Sequence, residues 1–386
     1  MKPAVLVGKL LRALLGLVLV LLGVAGFFTL SATYAEYPVI PTRADALGWV
    51  RGAFHVHTTG SDGRGTVEEV AAAAKAAGLR FVVLTDHNDL GPREPAFVDG
   101  VLLVPGVELS TEHGHLVAFG LQRPLEGVRP WMDGGEAEAA VEKAGGVSVL
   151  AHPVQRRNPW RHPEAARRAD GFELYSADTF FRDALRHPFS RLLPAVGASF
   201  GQPVHGVMML VGPQPEPTER LLELAREKPR VALCSHDAHG LPRYEDVFRA
   251  LAMYLPPSKG TAPQALPEEP RAAAEVVVKG LAGGGALCAF RALGEPVGFA
   301  LEGVDAQRRE AHVGDVLTVR LPSEVGDEVR IEVRGAGRLR PDGRSVQLVE
   351  EGAVQVEVWV RGPGGFFGTE WRPWIVPSPV RVLPRS

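Results

Sequence analysis

Residues 53–63 of this 386-residue chain read AFHVHTTGSDG. The short run at its start, in which Val56 separates His55 from His57, predicts a β-strand over 53–57. Because side chains two apart on a strand point to the same side, both imidazoles are expected to face one site. Asp62 follows in the loop just beyond the pair. The stretch therefore predicts a strand that ends at a group of polar side chains.

Short apolar runs alternate with helical stretches downstream of this strand. A helix is predicted over 66–77, where Thr66 and Glu69 make a capping box and Gly78 follows the last turn. Further helices are predicted over 136–144, 218–226 and 272–281, and further strands over 81–84, 101–104, 116–121, 147–150, 172–175 and 231–234. This alternation indicates an α/β fold with a mostly parallel sheet or a closed βα barrel.

Side chains of metal-ligating type stand at the ends of these predicted strands. Besides His55, His57 and Asp62, they are His87, Glu108, His115, His152, Asp237 and His239. The carboxyl ends of strands gather on one face of such folds, so residues far apart in sequence are expected to converge there. Imidazole and carboxylate ligands without cysteine suit Zn, Mn or Fe and argue against a purely structural zinc site.

Each of these residues also has an ordinary structural explanation. Asp62 precedes a glycine and is typical of a turn, Asp86 is placed to cap a helix, and Glu108 is explained as a solvated acid at the end of a strand. For each residue considered alone, the ordinary structural explanation is favoured. It must, however, account for the same placement at five strand ends, which favours a shared site.

Five motifs in this order resemble those of the polymerase and histidinol phosphatase (PHP) superfamily. They are FHVHTTGSDG (54–63), LTDH (84–87), GVE (106–108), AHP (151–153) and DAH (237–239). The resemblance covers roughly residues 50–285. It implies a distorted (β/α)7 TIM-like barrel that binds three divalent metals, and hydrolysis of phosphate esters by a metal-activated water without a side-chain nucleophile.

The resemblance also implies which residues bind each metal. The first metal would be bound by His55, His57, Glu108 and Asp237. Glu108 would bridge to the second metal, which His115 and His152 complete. The third would be bound by Asp62, His87 and His239. His113 is an alternative to His115, and His236 stands where the family more often has serine, so it either lines the pocket or has no role.

The residue at position 62 bears on the substrate. With aspartate at this position, the chain resembles the branch of nucleoside-bisphosphate phosphatases and 5′–3′ exonucleases more than it resembles histidinol phosphatases. A histidinol-phosphatase-like phosphomonoesterase is the alternative function. Arg156 and Arg157 follow His152 closely and begin a cluster that extends to Arg168. Arginine matches phosphate geometry, so both are candidate substrate-binding residues, although a solvated basic loop explains them equally well. Glu173 is a weaker candidate for the pocket.

The N-terminus is typical of a membrane segment. Lys2, Lys9 and Arg12 precede an uncharged apolar run over residues 13–32, which is about the length that crosses a bilayer. Basic residues on its N-terminal side favour an exported chain, periplasmic or extracellular, tethered through residues 36–51. A signal peptide cleaved after Ala35 is the alternative and would release a secreted chain. We therefore assign residues 1–35 to the anchor or signal segment.

Composition divides the rest of the chain and limits its partners. Residues 52–285 form the predicted phosphoesterase domain, and the period-two alternation over 329–333 and 354–360 predicts a small all-β, sandwich-like domain over 286–386.

With 42 basic and 45 acidic residues the chain is slightly acidic, which argues against a broad positive surface that binds long nucleic acid. The two cysteines are expected to form neither a disulfide framework nor a zinc site.

Two other functional classes stay open on the sequence alone. A deacetylase or carbon–nitrogen hydrolase could use the same ligand set. A non-catalytic surface-binding protein would be expected to have a degraded metal site, whereas every matched ligand position is filled here.

Overall fold

The computed structural model describes residues 3–34, 48–91, 94–257, 266–304, 308–322, 328–364 and 369–385. The helices are α1 (Pro3–Tyr34), α2 (Val67–Ala76), α3 (Gly134–Lys143), α4 (Pro163–Arg168), α5 (Ala177–Leu185), α6 (Leu193–Gly201), α7 (Pro203–Leu210), α8 (Pro215–Ala225), α9 (Tyr244–Ala250) and α10 (Pro270–Ala282). The cleavage position Ala35 and residues 36–47 of the predicted tether lie outside the described residues.

The strands follow the same chain order. They are β1 (Val50–Val56), β2 (Phe81–Leu84), β3 (Ala96–Val98), β4 (Val101–Thr111), β5 (Gly114–Phe119), β6 (Val147–Ala151), β7 (Gly171–Ser176), β8 (Val231–Ser235), β9 (Ala252–Leu255), β10 (Leu287–Ala289), β11 (Ala300–Glu302), β12 (Glu310–His312), β13 (Val316–Arg320), β14 (Val329–Gly335), β15 (Gly337–Leu339), β16 (Ser345–Leu348), β17 (Gly352–Pro363), β18 (Thr369–Pro377) and β19 (Val380–Leu383).

One large sheet contains the strands that end at the candidate ligands. Its order is β12-β19-β17-β18-β10-β9-β1-β2-β4-β5-β6-β7-β8. The pairs β1–β2, β2–β4, β6–β7 and β7–β8 are parallel, whereas β5 runs antiparallel to both β4 and β6. Backbone hydrogen bonds from His236 N to Phe54 O (3.0 Å) and from His57 N to Ala238 O (3.1 Å) connect the end of β1 to the segment after β8.

The mixed α/β fold predicted from the sequence is confirmed, and so is the N-terminal apolar helix. The capping box at α2 is present, with Thr66 accepting from Glu69 N and Glu69 accepting from Thr66 N. The strand predicted to end at 104 continues as β4 to Thr111, because its second half pairs with β5 in a hairpin. The seven-stranded barrel stays a prediction.

The C-terminal region is rich in strands, as predicted. The two alternating stretches are β14 and β17, which pair antiparallel with Val329 opposite Val360. A second sheet has the order β11-β13-β16-β15. The large sheet runs without a break from β1 through β9 and β10 into β18, because β10 pairs antiparallel with both β9 and β18. The sandwich and the boundary at residue 286 stay predictions.

Two cysteines make no disulfide framework, but they can make a single disulfide, which the sequence did not predict. Cys234 and Cys288 form one, with their Cα atoms 5.6 Å apart and 54 positions apart in sequence. Both side chains are fully buried, one on β8 and the other on β10. Two cysteines with such a wide separation carry no recognisable spacing pattern, so the pairing depends on tertiary contacts between strands that the sequence does not reveal.

Candidate metal centre

The first predicted strand carries its two histidines into the interior. His55 and His57 are both fully buried, and their Nε2 atoms lie 3.0 Å apart. His55 has a positive backbone angle (φ 64°), and the β1–β2 register shifts between Ala53 and Val56. His152 (φ 31°) and Asp237 (φ 42°) share this rare left-handed conformation. Non-glycine residues seldom adopt it, and such backbone strain concentrates at functional sites.

The first group of potential ligands forms around these histidines. Oε2 of Glu108 lies 3.1 Å from Nε2 of His55 and 3.2 Å from Nε2 of His57. Oδ1 of Asp237 lies 3.5 Å and 3.4 Å from the same two nitrogens. All four side chains are buried, and their ligand atoms lie within 4.8 Å of one another. This is the set predicted for the first metal.

The other oxygen of Glu108 faces a second group. Its Oε1 lies 2.8 Å from Nδ1 of His115 and 3.1 Å from Nε2 of His152. His87 also approaches this carboxylate, with Nδ1 3.2 Å from Oε2, and it can be grouped with Glu108 and His115 around one ion. Glu108 therefore stands between two groups of nitrogens, as a bridging ligand would.

The third group lies at the mouth of the site. Asp62 is 57% exposed, and its Oδ1 lies 3.3 Å from Nε2 of His239. Its Oδ2 lies 3.8 Å from Nε2 of His87. The structure adds His57 to this group, because Nδ1 of that ring lies 3.6 Å from Oδ1 of Asp62. His57 therefore faces the first group with one nitrogen and the third with the other.

The donor set fits divalent metal ions. Nitrogen and oxygen atoms with lone pairs converge on common centres, which is the chemistry that Zn, Mn and Fe accept. Nδ1 of His55 is engaged by Oε1 of Glu173 at 2.6 Å, which leaves its Nε2 to face the first group. His87 Nδ1 faces Glu108 without hydrogen-bond geometry, although it is buried. A cation between these atoms would satisfy contacts that hydrogen bonds leave unmade.

The electrostatics of the cluster point the same way. Burial alone lowers the pKa of His57, yet hydrogen bonds to Asp237 and Glu108 outweigh it and raise that pKa to about 9. Burial alone raises the pKa of Asp237, yet the neighbouring imidazoles, His55 foremost, hold it well below its usual range. Burial likewise raises the pKa of Glu108, yet His55, His115 and His152 hold it well below its usual range, so Glu108 and Asp237 are both ionised at neutral pH. Their charge must be balanced by protonated imidazoles or by metal ions, which compete with protons for the same nitrogens.

Two further acids support the ligands without belonging to any group. Glu173 is buried, and its second oxygen accepts from the backbone N–H of His152 at 2.7 Å. Asp86 accepts from Thr58 N at 2.7 Å and from Ser61 Oγ at 2.8 Å, which holds the loop that carries Asp62. From the sequence, Glu173 is only a weak candidate for the pocket because a single acid inside a strand has no distinguishing pattern.

The remaining histidines near the motifs have other roles. His113, the alternative to His115, lies outside the cluster, where its Nδ1 accepts from Gly134 N at 3.2 Å. His236 is buried beside β1 and Leu251 O, 3.0 Å from its Nε2. Burial lowers the pKa of His236 to about 4, so it is neutral and joins the backbone of neighbouring elements.

A cavity of about 240 Å³ opens next to the third group. Arg64 and Arg182 line it, together with Asp178, which forms an ion pair with Arg182. Arg156 and Arg157 are exposed and are not among its lining residues, so their substrate role stays a prediction. Arg182 lies on α5, in a segment without a recognisable motif, which is why sequence reasoning missed it.

The comparisons with known proteins give distant likenesses only. No protein-family model and no curated protein sequence matches the chain. Its structural neighbours include proteins described as predicted metal-dependent phosphoesterases, an amidohydrolase from Chromobacterium violaceum and Endonuclease Q. A two-domain protein from Bacteroides vulgatus, with a predicted PHP-like metal-dependent phosphoesterase domain, is 16% identical; the match covers 89% of this chain and 98% of that one, with a TM-score of 0.42.

Two other solved structures are more distant in fold. A predicted metal-dependent phosphoesterase from Bifidobacterium adolescentis is 19% identical to this chain. The match covers 49% of this chain and 87% of that one, with a TM-score of 0.33. The lesion-specific endonuclease Q of Pyrococcus furiosus is 18% identical over 27% of this chain and 35% of its own, with a TM-score of 0.23. At these identities and TM-scores the likenesses establish no activity for this chain.

Proposed function

We propose that the chain is a divalent-metal-dependent phosphoesterase. The observation that carries the proposal is the position of Glu108, whose two oxygens face different groups of imidazoles, all within reach of shared ions. These residues would hold divalent ions, which when bound would lower the pKa of a water and neutralise phosphate oxygens as charge builds. Zn, Mn and Fe all suit the ligand set, and three ions per chain are proposed.

The chain's own residues would prepare the site around those ions. Glu173 fixes the ring of His55 and the backbone at His152, so both ligands are oriented before an ion binds. Arg182 and Arg64 line the cavity beside Asp62, where a phosphate would enter. A guanidinium there can pair with phosphate oxygens that the ions leave free. Arg156 and Arg157 remain proposed contacts for a more remote phosphate.

The finer proposal concerns the kind of ester. A cavity of about 240 Å³ accommodates a small ester or the end of a chain, and the slightly acidic composition gives no long positive track. Within that class, nucleoside-bisphosphate phosphatase or 5′–3′ exonuclease activity is proposed from the aspartate at position 62. Histidinol-phosphatase-like phosphomonoesterase activity is the second candidate on the same site.

A substrate panel tests this proposal. The full-length chain in detergent, supplied with Mn, should hydrolyse p-nitrophenyl phosphate, bis-p-nitrophenyl phosphate, nucleoside bisphosphates or short 5′-labelled oligonucleotides, and chelation should stop it. Cutting of circular DNA or RNA would refute the end-directed part. If the protein hydrolyses acetylated sugars but no phosphate ester, the site belongs to a different class of hydrolase.

We also propose that α1 anchors an exported chain. Among the described residues, α1 is the one helix long and apolar enough to cross a membrane, over Val5–Ser31 with mean hydropathy 2.6. The buried disulfide between Cys234 and Cys288 supports an oxidising compartment outside the cytoplasm. The protein should fractionate with membranes and should be degraded by protease added to spheroplasts. A soluble chain that starts at Glu36 would exclude the anchor, and protection from the protease would exclude export.

A further inference from the structure

The segment between β7 and β8 contains helices that the sequence motifs did not predict. Residues 184–215 include no aspartate or glutamate, and their charged residues are Arg186 and Arg191 alone. Phe189 and Phe200 are 70% and 76% exposed, and Leu185 is 52% exposed. Asp183, which directly precedes this segment, forms an ion pair with Arg186 at 3.8 Å. Several large exposed apolar side chains beside arginines are typical of a segment that rests on a membrane interface.

This segment packs directly on α1. Thr29 Oγ1 donates to Gly197 O at 2.6 Å, across the contact between α1 and α6. A Cβ at Gly197 would lie 2.8 Å from Ala25 O and 2.9 Å from Phe28 Cβ, so only glycine allows this close approach. The contacted turn lies inside the apolar run Val5–Ser31, within about 9 Å of its end at 1.5 Å per residue. If α1 spans a bilayer, α6 therefore lies at its surface.

The same segment forms one wall of the cavity at the metal centre. Val207 and Leu210 of α7 and the adjoining Val211 line it, together with Phe180 and Phe181 of α5. The polar side chains of Asp62, Asp237 and His239 line the same cavity. The cavity thus combines polar side chains suited to a phosphate with apolar side chains that offer no hydrogen bonds to a base or a sugar.

We propose that the natural substrate is a phosphate ester with an acyl tail, taken from the membrane surface on which the segment 184–215 rests. The phosphate would lie against the metal ligands and the first methylenes of the tail against α7. This inference rests on the proposed phosphoesterase function. It assigns a lipid, instead of a nucleotide, as the group that is esterified to the phosphate. Arg191 would favour an anionic bilayer, whereas the charge of Arg186 is already paired with Asp183.

Matched esters test the inference with the full-length chain. Dioleoyl phosphatidic acid in mixed micelles and glycerol 3-phosphate present the same phosphomonoester with and without tails. We expect kcat/KM to be at least about tenfold higher for the lipid, the factor that a few buried methylenes supply. The double variant Phe189→Ser, Phe200→Ser should lower the ratio of the two values about tenfold, and Leu339→Ser, a similar exposed change on β15, should leave it unaltered.

The outcomes separate the possible failures. Equal kcat/KM for both esters, or a ratio insensitive to the double variant, would overturn the lipid assignment while leaving the phosphoesterase intact. A double variant that turns a dimer into a monomer without altering the ratio would mean that a second copy covers these side chains, which also overturns it. Failure to hydrolyse p-nitrophenyl phosphate with any metal would instead refute the proposed function.

Discussion

Glu108→Gln is expected to lower phosphate-ester turnover by about 10³-fold, a loss of about 4 kcal/mol of transition-state stabilisation. The reason is its shared position, because one oxygen faces His55 and His57 while the other faces His115 and His152. Glutamine keeps the shape but removes the charge that two ions would share. Turnover of p-nitrophenyl phosphate with saturating Mn, and metal content by elemental analysis, measure the effect.

His113→Gln is the matched control for this variant. His113 lies just beyond the same strand, between β4 and β5, but outside the cluster, where it accepts a hydrogen bond from Gly134 N. We expect it to retain metal and most of the turnover. If both variants lose activity to the same extent, or if Glu108→Gln keeps its metals, Glu108 is not the bridging ligand.

Glu173→Gln is expected to weaken metal binding by about 10- to 100-fold, the usual cost of losing the partner that orients a ligand. Its carboxylate engages Nδ1 of His55 at 2.6 Å and N of His152 at 2.7 Å, yet it belongs to no ligand group. It is a positioning residue, so excess Mn should restore most of kcat. A titration with Mn, followed by turnover of p-nitrophenyl phosphate, separates the affinity for Mn from kcat.

A control on another buried acid guards against a general loss of stability. Glu357 is buried and accepts from Tyr175 Oη at 2.9 Å, outside the ligand groups. The same oxygen accepts from Trp359 Nε1 at 2.9 Å, and the side-chain oxygen of glutamine can accept both hydrogen bonds. Glu357→Gln should leave the Mn affinity unchanged. Activity of Glu173→Gln that no Mn concentration restores would show a purely structural role.

Local patterns predicted much of the fold because they are decided by neighbouring residues. The capping box at Thr66 and the alternation over 354–360 depend on periods of a few residues, and both elements are present. The extension of β4 to Thr111 escaped prediction because it depends on a partner, β5. The disulfide and the contact between α1 and Gly197 also join distant parts of the chain, for which a single sequence holds no signal.

The candidate site could be predicted where ligand types recur at strand ends. The structure brings together every residue proposed as a metal ligand, while it leaves His113 outside. What could not be predicted is what surrounds them. Arg182 and the aliphatic wall of α7 come from a segment with no motif, and Glu173 is a single acid whose partners become visible only when β6 and β7 lie side by side.

Metal content per chain tests the central claim most directly. The full-length protein, purified without chelator and reconstituted separately with Mn, Zn and Fe, should contain two or three ions per chain by elemental analysis, because the ligands form three groups. Hydrolysis of p-nitrophenyl phosphate should rise with that content. Less than one ion per chain after every reconstitution, with the protein folded, would contradict the account.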